Sequence, residues 1–187
     1  MADLPALFAA SIDRFADRVA GITGSQWSNA TPCADWDVRT LVNHVANEQL
    51  WAPHLVAGET IEQVGDRYDG DVLGDDPAGV FRRAAEASKA AFAAADLDAI
   101  VHLSFGDLPC RGYLEQMLTD AEVHGWDLSV GLGQDGVIDP EIASVLLPAM
   151  QAQEALIRAS GVFGDAVSVP EDASDGDRLL GLLGRQP

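Results

Sequence analysis

Apolar residues recur at helical spacing in several separate stretches. Between Leu4 and Ala20, the residues Leu7, Phe8, Ile12, Phe15 and Val19 form one stripe with a period near 3.6, which predicts an amphipathic helix closed by Gly21 and Gly24. A loop through Trp27 and Thr31-Pro32-Cys33 follows. Asp37 then stands as an N-cap for a second helix, Val38 to Val56, which Gly58 terminates. The stretch Gly65 to Asp76 is polar and rich in Gly and Asp, the pattern of a long loop. Asp76-Pro77 predicts the start of a third helix, since proline at the first helical position sacrifices no hydrogen bond, and Ala-rich sequence carries it to about Ala95. Ile100 to Gly106 alternates and is closed by Gly106 and Pro109, so it is an extended segment or a short strand at most. A fourth helix is predicted from about Gly112 to Val130. Asp139-Pro140-Glu141 opens another, with a kink or split expected at Pro148 before Gly161 ends it, and Ser174 and Asp177 are spaced as a capping pair for a short final helix.

Four substantial helices without βαβ alternation predict an all-α protein, a four-helix bundle with a short C-terminal helical appendage. The 187 residues suit one domain, with the bundle over 1–135 and the extension over 136–187 packed on it. Hydrophobic residues make up 48% of the chain, which excludes wholesale disorder.

Charge narrows the partners. Eleven basic against 30 acidic residues give a formal net charge of −19, a surface that repels phosphate backbones and anionic lipid, so neither nucleic acid nor membrane is expected as a partner. The apolar stretches are too broken by charge to span a bilayer, and Met1-Ala2-Asp3-Leu4-Pro5 lacks a signal peptide's basic region, so a cytoplasmic address is expected by default. Cys33 and Cys110 form no C-x-x-C pair and read as reduced structural thiols. Lys89 is the only lysine, a bias that suggests a GC-rich bacterial genome. Monomer and homodimer both stay open.

The candidate chemistry sits on the second and fourth helices. Asp120 and His124 are four residues apart, one turn along and about 40° round the helix, on the face that also carries Leu114, Met117, Ala121 and Leu128. A carboxylate and an imidazole on an apolar face need a partner, and a divalent metal supplies one. Glu122 falls on the other side of that helix. Asp127, three residues after His124, is either an acceptor for an imidazole N–H or a local helix-end group. On the second helix His44 shares a stripe with Leu41, Val45 and Trp51, and Glu48 stands one turn further on. Glu48 is a candidate catalytic residue that could orient His44, accept a proton, or ligate the ion itself. A metal-free alternative pairs His44 with Asp120 in a buried hydrogen bond. His54 and His102 show no partner at a recognised spacing. Trp36, Trp51 and Trp126 read as core or pocket wall, with Trp126 the candidate cofactor-binding residue.

The run Thr31-Pro32-Cys33-Ala34-Asp35-Trp36-Asp37-Val38-Arg39-Thr40-Leu41-Val42-Asn43-His44 resembles the TPC-x-x-W-x-V-x-x-L-x-x-H signature of actinobacterial proteins in the DinB-like, or mycothiol-dependent maleylpyruvate isomerase N-terminal, superfamily. His124-Gly125-Trp126-Asp127-Leu128 resembles the H-x-W-D-L signature of the same group. Gly161-Val162-Phe163-Gly164 and Leu179-Leu180-Gly181-Leu182-Leu183-Gly184-Arg185 are similar to the ends of its uncharacterised metal-binding members. The resemblance implies an up-down-down-up four-helix bundle. It also implies a divalent metal held by His44, Asp120 and His124, with Asp at a position where the isomerases commonly have Glu. Zinc is the first expectation, nickel or iron the alternatives. The family further implies mycothiol as cosubstrate. The expected function is therefore metal-assisted, thiol-dependent transfer or isomerisation on a small electrophile. The alternative is a non-catalytic metal-containing binding or scaffold protein, whose site Glu48 would close.

Overall fold

The computed structural model describes residues 3–161 and 163–187; Met1, Ala2 and Val162 of the motifs above lie outside the described residues. The chain divides into two compact units, Met1–Asp135 and Gly136–Pro187.

The first unit is built on four long helices: α1 (Leu4–Ala20), α2 (Val38–Val56), α4 (Pro77–Ala94) and α5 (Cys110–Gly131), with a four-residue α3 (Ile61–Val64) between the second and third of them. Aspartates start three of the four. The side chains of Asp3, Asp37 and Asp76 accept from the backbone N–H groups of Ala6, Thr40 and Gly79, filling donors that a helix N-terminus leaves open. Both α1 and α2 pack against α4 and α5, the corner arrangement of an up-down-down-up bundle. Between α1 and α4, Phe15 stacks on Phe81 at 4.9 Å and Phe8 meets Phe92 edge-on at 5.2 Å.

The innermost element is α5, in which 16 of 22 residues are buried. Few of its polar side chains can therefore turn to water, and each needs a partner within the protein. Glu122 finds one in Arg14 of α1, on the side of α5 away from Asp120 and His124, as the helical spacing predicts.

The loop expected after Gly65 is tightly held. Arg39, Asn43, Asn47, Trp51 and His54 form one stripe along α2 and clasp it in order. Arg39 donates to Asp71 (2.6 Å) and to the Gly74 carbonyl (2.9 Å), and Asn43 bonds Gly70 O and Val72 N–H at 3.0 and 2.8 Å. Asn47 donates to the Tyr68 carbonyl, while the Tyr68 ring meets Trp51 and its hydroxyl lies 2.7 Å from His54 Nε2. His54, given no partner by spacing alone, thus bridges Tyr68 and Glu59.

The segment expected to hold at most one strand forms a hairpin, β1 (Ile100–Leu103) against β2 (Gly106–Pro109), in which His102 faces Asp107 at 2.8 Å. In the second unit, α6 (Pro140–Ala152) continues through Pro148 and breaks only at Gln153; one lost backbone bond bends a helix more readily than it ends it. There α7 (Glu154–Ser160) ends at Gly161 in the left-handed region, and α8 (Asp175–Leu182) packs on α6 behind the Ser174 cap.

Candidate metal centre

His44 projects from the middle of α2 toward α5, where Asp120 and His124 stand one turn apart. Asp120 Oδ1 lies 3.4 Å from His44 Nε2 and 3.3 Å from His124 Nε2. One oxygen thus faces two imidazole nitrogens from different helices. The side chains of His44, Asp120 and His124 retain 31%, 27% and 11% of their exposure, so solvent reaches the cluster from the His44 side. The other carboxylate oxygen, Asp120 Oδ2, is buried and has no hydrogen-bond partner among the described residues.

A short loop roofs this cluster. Val38 N–H bonds the Asn29 carbonyl, Thr31 N–H bonds the Trp36 carbonyl, and the Thr31 hydroxyl caps the turn by donating to Trp36 O at 2.8 Å and accepting from Cys33 N–H. Asp35, at φ 67°, lets the chain double back so that Trp36 returns over the site. The Trp36 ring then packs on both imidazoles, 4.9 Å from His44 and 5.7 Å from His124. The loop can approach α5 this closely because Gly131 ends that helix. A Cβ there would stand 3.1–3.3 Å from Val38, Thr31 and the Ala30 carbonyl, and Asn29 bonds the Gly131 carbonyl directly.

The same loop brings Cys33 behind His124. Its Sγ lies 3.7 Å from His124 Nδ1 and 3.1 Å from Asp127 Oδ2, and Asp127 Oδ2 is 3.0 Å from that Nδ1. Cys33, read from the sequence as a reduced structural thiol, thus stands against His124 and Asp127 at the edge of the site. Sequence spacing hides this contact because the reversal at Asp35 creates it. Cys110 keeps the structural reading: it is buried, and burial followed by the charge of Asp96 pushes its thiol up.

Electrostatics couples the cluster. Burial alone would raise the Asp120 carboxyl, but the charge and hydrogen bond of His124, with those of His44, overcome it and hold Asp120 well below the usual carboxylate range. His124 moves the other way. Burial opposes its protonated form, yet Asp120, Asp127 and Cys33 together raise it well above its ordinary value. Glu48 is raised, first by burial and then by the negative charge of Asp120. Tyr113, two turns before Asp120 on α5, is also raised, by burial and then by Glu48 and Asp120; its hydroxyl is buried without a partner among the described residues.

Do these residues fit a divalent ion? The donor atoms of His44, Asp120 and His124 all lie within 4.8 Å of one another. Ligands at 2.0–2.1 Å from a tetrahedral ion stand about 3.3–3.4 Å apart, and both spacings across Asp120 Oδ1 have that value. The orphaned Oδ2 adds an unmet need for a partner. The fit is good. Glu48 stays outside the 4.8 Å set. Trp126 is buried and follows His124 by two residues, about 200° round the helix, whereas Trp36 is the indole in contact with the imidazoles. Among the described residues no helix is long and apolar enough to cross a membrane.

Comparison with known proteins agrees with this architecture. Residues 8–129 match the family model described as the mycothiol maleylpyruvate isomerase N-terminal domain. Uncharacterised proteins from two strains of Mycobacterium tuberculosis are 32% identical over 179 residues, covering 92% of each chain. Two crystal structures titled as mycothiol-dependent maleylpyruvate isomerase, one a histidine-to-alanine mutant, superpose with TM-scores of 0.68 and 0.66 at 15% and 14% identity. Both matches cover 92% of this chain and 77% of theirs, and they establish a shared fold. From sequence and fold together, this chain belongs to the mycothiol maleylpyruvate isomerase N-terminal domain family of DinB-like helical proteins.

Proposed function

We propose that the chain holds one divalent metal, zinc first, through His44, Asp120 and His124, and uses it to bind the thiol of mycothiol or a similar small thiol for isomerisation of, or transfer to, a small electrophile. The observation that carries this reading is the convergence of two imidazole nitrogens on Asp120 Oδ1 at 3.3 and 3.4 Å, beside an orphaned Oδ2. When bound, such an ion lowers the pKa of a coordinated thiol and leaves a position open for it. The thiol itself is drawn from the family, whose named isomerases depend on mycothiol.

The protein's own residues supply the remaining functions. Trp36 walls the site and limits water around the imidazoles. Glu48 feels the charges of Asp120, His44 and His124 without joining the donor set, which supports a role in taking the proton that a binding thiol gives up. Its absence from that set supports this role over closing the site as a fourth ligand. Cations are scarce here. Arg39 is engaged by Asp71, and Glu48, Asp120 and Asp127 make the surroundings acidic, which favours an electrophile with little negative charge. The test is calorimetric titration of tag-free protein with zinc, then of the zinc-loaded protein with mycothiol. One ion per chain followed by metal-dependent thiol binding supports the reading. Zinc binding without thiol affinity leaves a metal-containing scaffold.

A further inference from the structure

We propose that Asp127 and Cys33 act together as positioning residues that fix the orientation and tautomer of His124. The functional meaning rests on the metal reading above; the geometry does not. Asp127 is fully buried, and its Oδ2 is shared by His124 Nδ1 at 3.0 Å and Cys33 Sγ at 3.1 Å. An ionised carboxylate oxygen can only accept, so imidazole N–H and thiol S–H are the donors. With Nδ1–H held by Asp127, Nε2, the nitrogen that faces Asp120 at 3.3 Å, is the one left to give up its proton to an ion. The ring is thus gripped at one nitrogen and presented at the other. Among the described residues His44 has no such carboxylate on its other ring nitrogen and rests on Trp36 instead.

Cys33 contributes through its place in the roof. It is half-buried, sits against the shared oxygen, and stands 3.7 Å from the ring nitrogen, so the loop and the imidazole are coupled through one carboxylate. The same three donor atoms lie within 4.8 Å of one another and could in principle take a second ion, with His124 as the bridge. Spacings of 3.0 and 3.1 Å are those of proton-sharing contacts, however. A second ion would also have to displace both protons and leave His124 an imidazolate. Positioning is the simpler use of these atoms.

The experiment combines two readouts on Asp127→Asn, Cys33→Ala and Cys33→Ser. Long-range proton–nitrogen NMR of metal-free protein reports whether Nδ1 of His124 carries a proton, whatever the state of Nε2. Chelator competition reports zinc affinity. The expected results are a proton on Nδ1 in the wild type, its loss in Asp127→Asn, and a zinc affinity lowered by about 10–100-fold in that variant. Cys33→Ala should weaken zinc less, and Cys33→Ser should restore it. A wild-type His124 with no proton on Nδ1 overturns the proposal even if Asp127→Asn does not fold. So does a folded Asp127→Asn variant with unchanged tautomer and affinity, or uptake of two ions per chain with cobalt–thiolate charge-transfer absorption, which would make Cys33 a ligand. If the wild type takes no zinc, the proposed function fails, while the tautomer measurement still decides this one.

Discussion

His44 and His124 meet edge to face, with ring centroids 5.1 Å apart and planes at 82°, although one belongs to α2 and the other to α5. His44 is partly exposed and this contact gives it little packing, so its value lies in what the two nitrogens bind. His44→Ala should therefore leave the metal-free fold within about 1 kcal/mol of the wild type, whereas His124→Ala, which takes the partner from the buried Asp127, should cost about 1–3 kcal/mol. Zinc affinity should fall by more than the roughly 100-fold upper range typical of outer-layer partners. Zinc at about 100 times Kd should stabilise the wild type by about 2.7 kcal/mol and the His124→Ala variant by much less. Thermal unfolding with and without zinc makes the comparison. Equal stabilisation of all three proteins would remove these ligands from consideration.

The close approach at Gly131 makes a second prediction. An alanine there would gain helix propensity, worth up to about 1 kcal/mol, but its Cβ meets two methyl groups and a backbone carbonyl at 3.1–3.3 Å. Overpacking of this sort costs about 1–3 kcal/mol. Gly131→Ala should thus be destabilising by about 1 kcal/mol in urea unfolding. Because the loop that must yield carries Cys33 and Trp36, its tryptophan fluorescence in the folded state should also change. A variant more stable than wild type would show that the loop gives way freely.

Glu122 shows what the opposite side of α5 requires. Its carboxylate is buried, paired with Arg14 and close to Arg18, whose own charge is disfavoured first by burial and is supported by Glu122. Removing one partner of a buried pair can cost about 3–5 kcal/mol, but the Arg14 side chain is 38% exposed and water relieves part of that penalty. Glu122→Ala should cost about 1–2 kcal/mol in denaturant unfolding without changing zinc affinity, since this pair does not face the metal cluster. A selective loss of zinc binding would contradict that separation.

Much of this architecture follows from local chemistry. The bounds of α1 and α2 are set by aspartates that cap and glycines that stop, so apolar period and punctuation suffice to place them. Asp120 and His124 are likewise readable, because a spacing of four on an apolar face needs no tertiary information. That His44 faces them is a matter of helix packing, for which only the family resemblance spoke. Cys33 and Trp36 were hidden by a reversal that depends on a left-handed residue, Asp35, and on a glycine about a hundred positions away. The contacts of His54 and His102 arise across a loop and a hairpin turn, where no helical spacing applies.

The clasp along α2 can be loosened one link at a time. Asn43 uses both ends of its amide on the loop, donating to Gly70 O and accepting from Val72 N–H. Each bond is worth about 1 kcal/mol net, and the alanine variant leaves Val72 N–H without its acceptor. Asn43→Ala should raise amide exchange across residues 68–74 while α1 and α4 stay protected, a local opening rather than a global one. Hydrogen-exchange mass spectrometry resolves the two. Uniformly faster exchange in every helix would mean that the loop is part of the core's cooperative unit.

Asp37 links the stability of the His44 helix to pH. Its Oδ1 accepts from the Thr40 N–H at 2.8 Å and from the Thr40 hydroxyl at 2.7 Å, and these bonds, the backbone one first, hold its carboxyl below the usual aspartate value. A folded-state pKa below the unfolded one means that the charged cap stabilises the fold at pH values above the unfolded pKa, about 3.9, and that this contribution is lost as acid protonates the folded carboxyl. Asp37→Ala should cost about 1 kcal/mol near neutral pH. The gap to wild type should be flat from neutral pH down to about pH 5 and narrow below about pH 4. Asp37→Asn, which keeps an acceptor without the charge, should retain much of the cap and show a weaker dependence on acid. Urea unfolding of the three proteins between neutral and acid pH provides the check. A gap that widens in acid would mean that the carboxylate is not the group holding the start of α2.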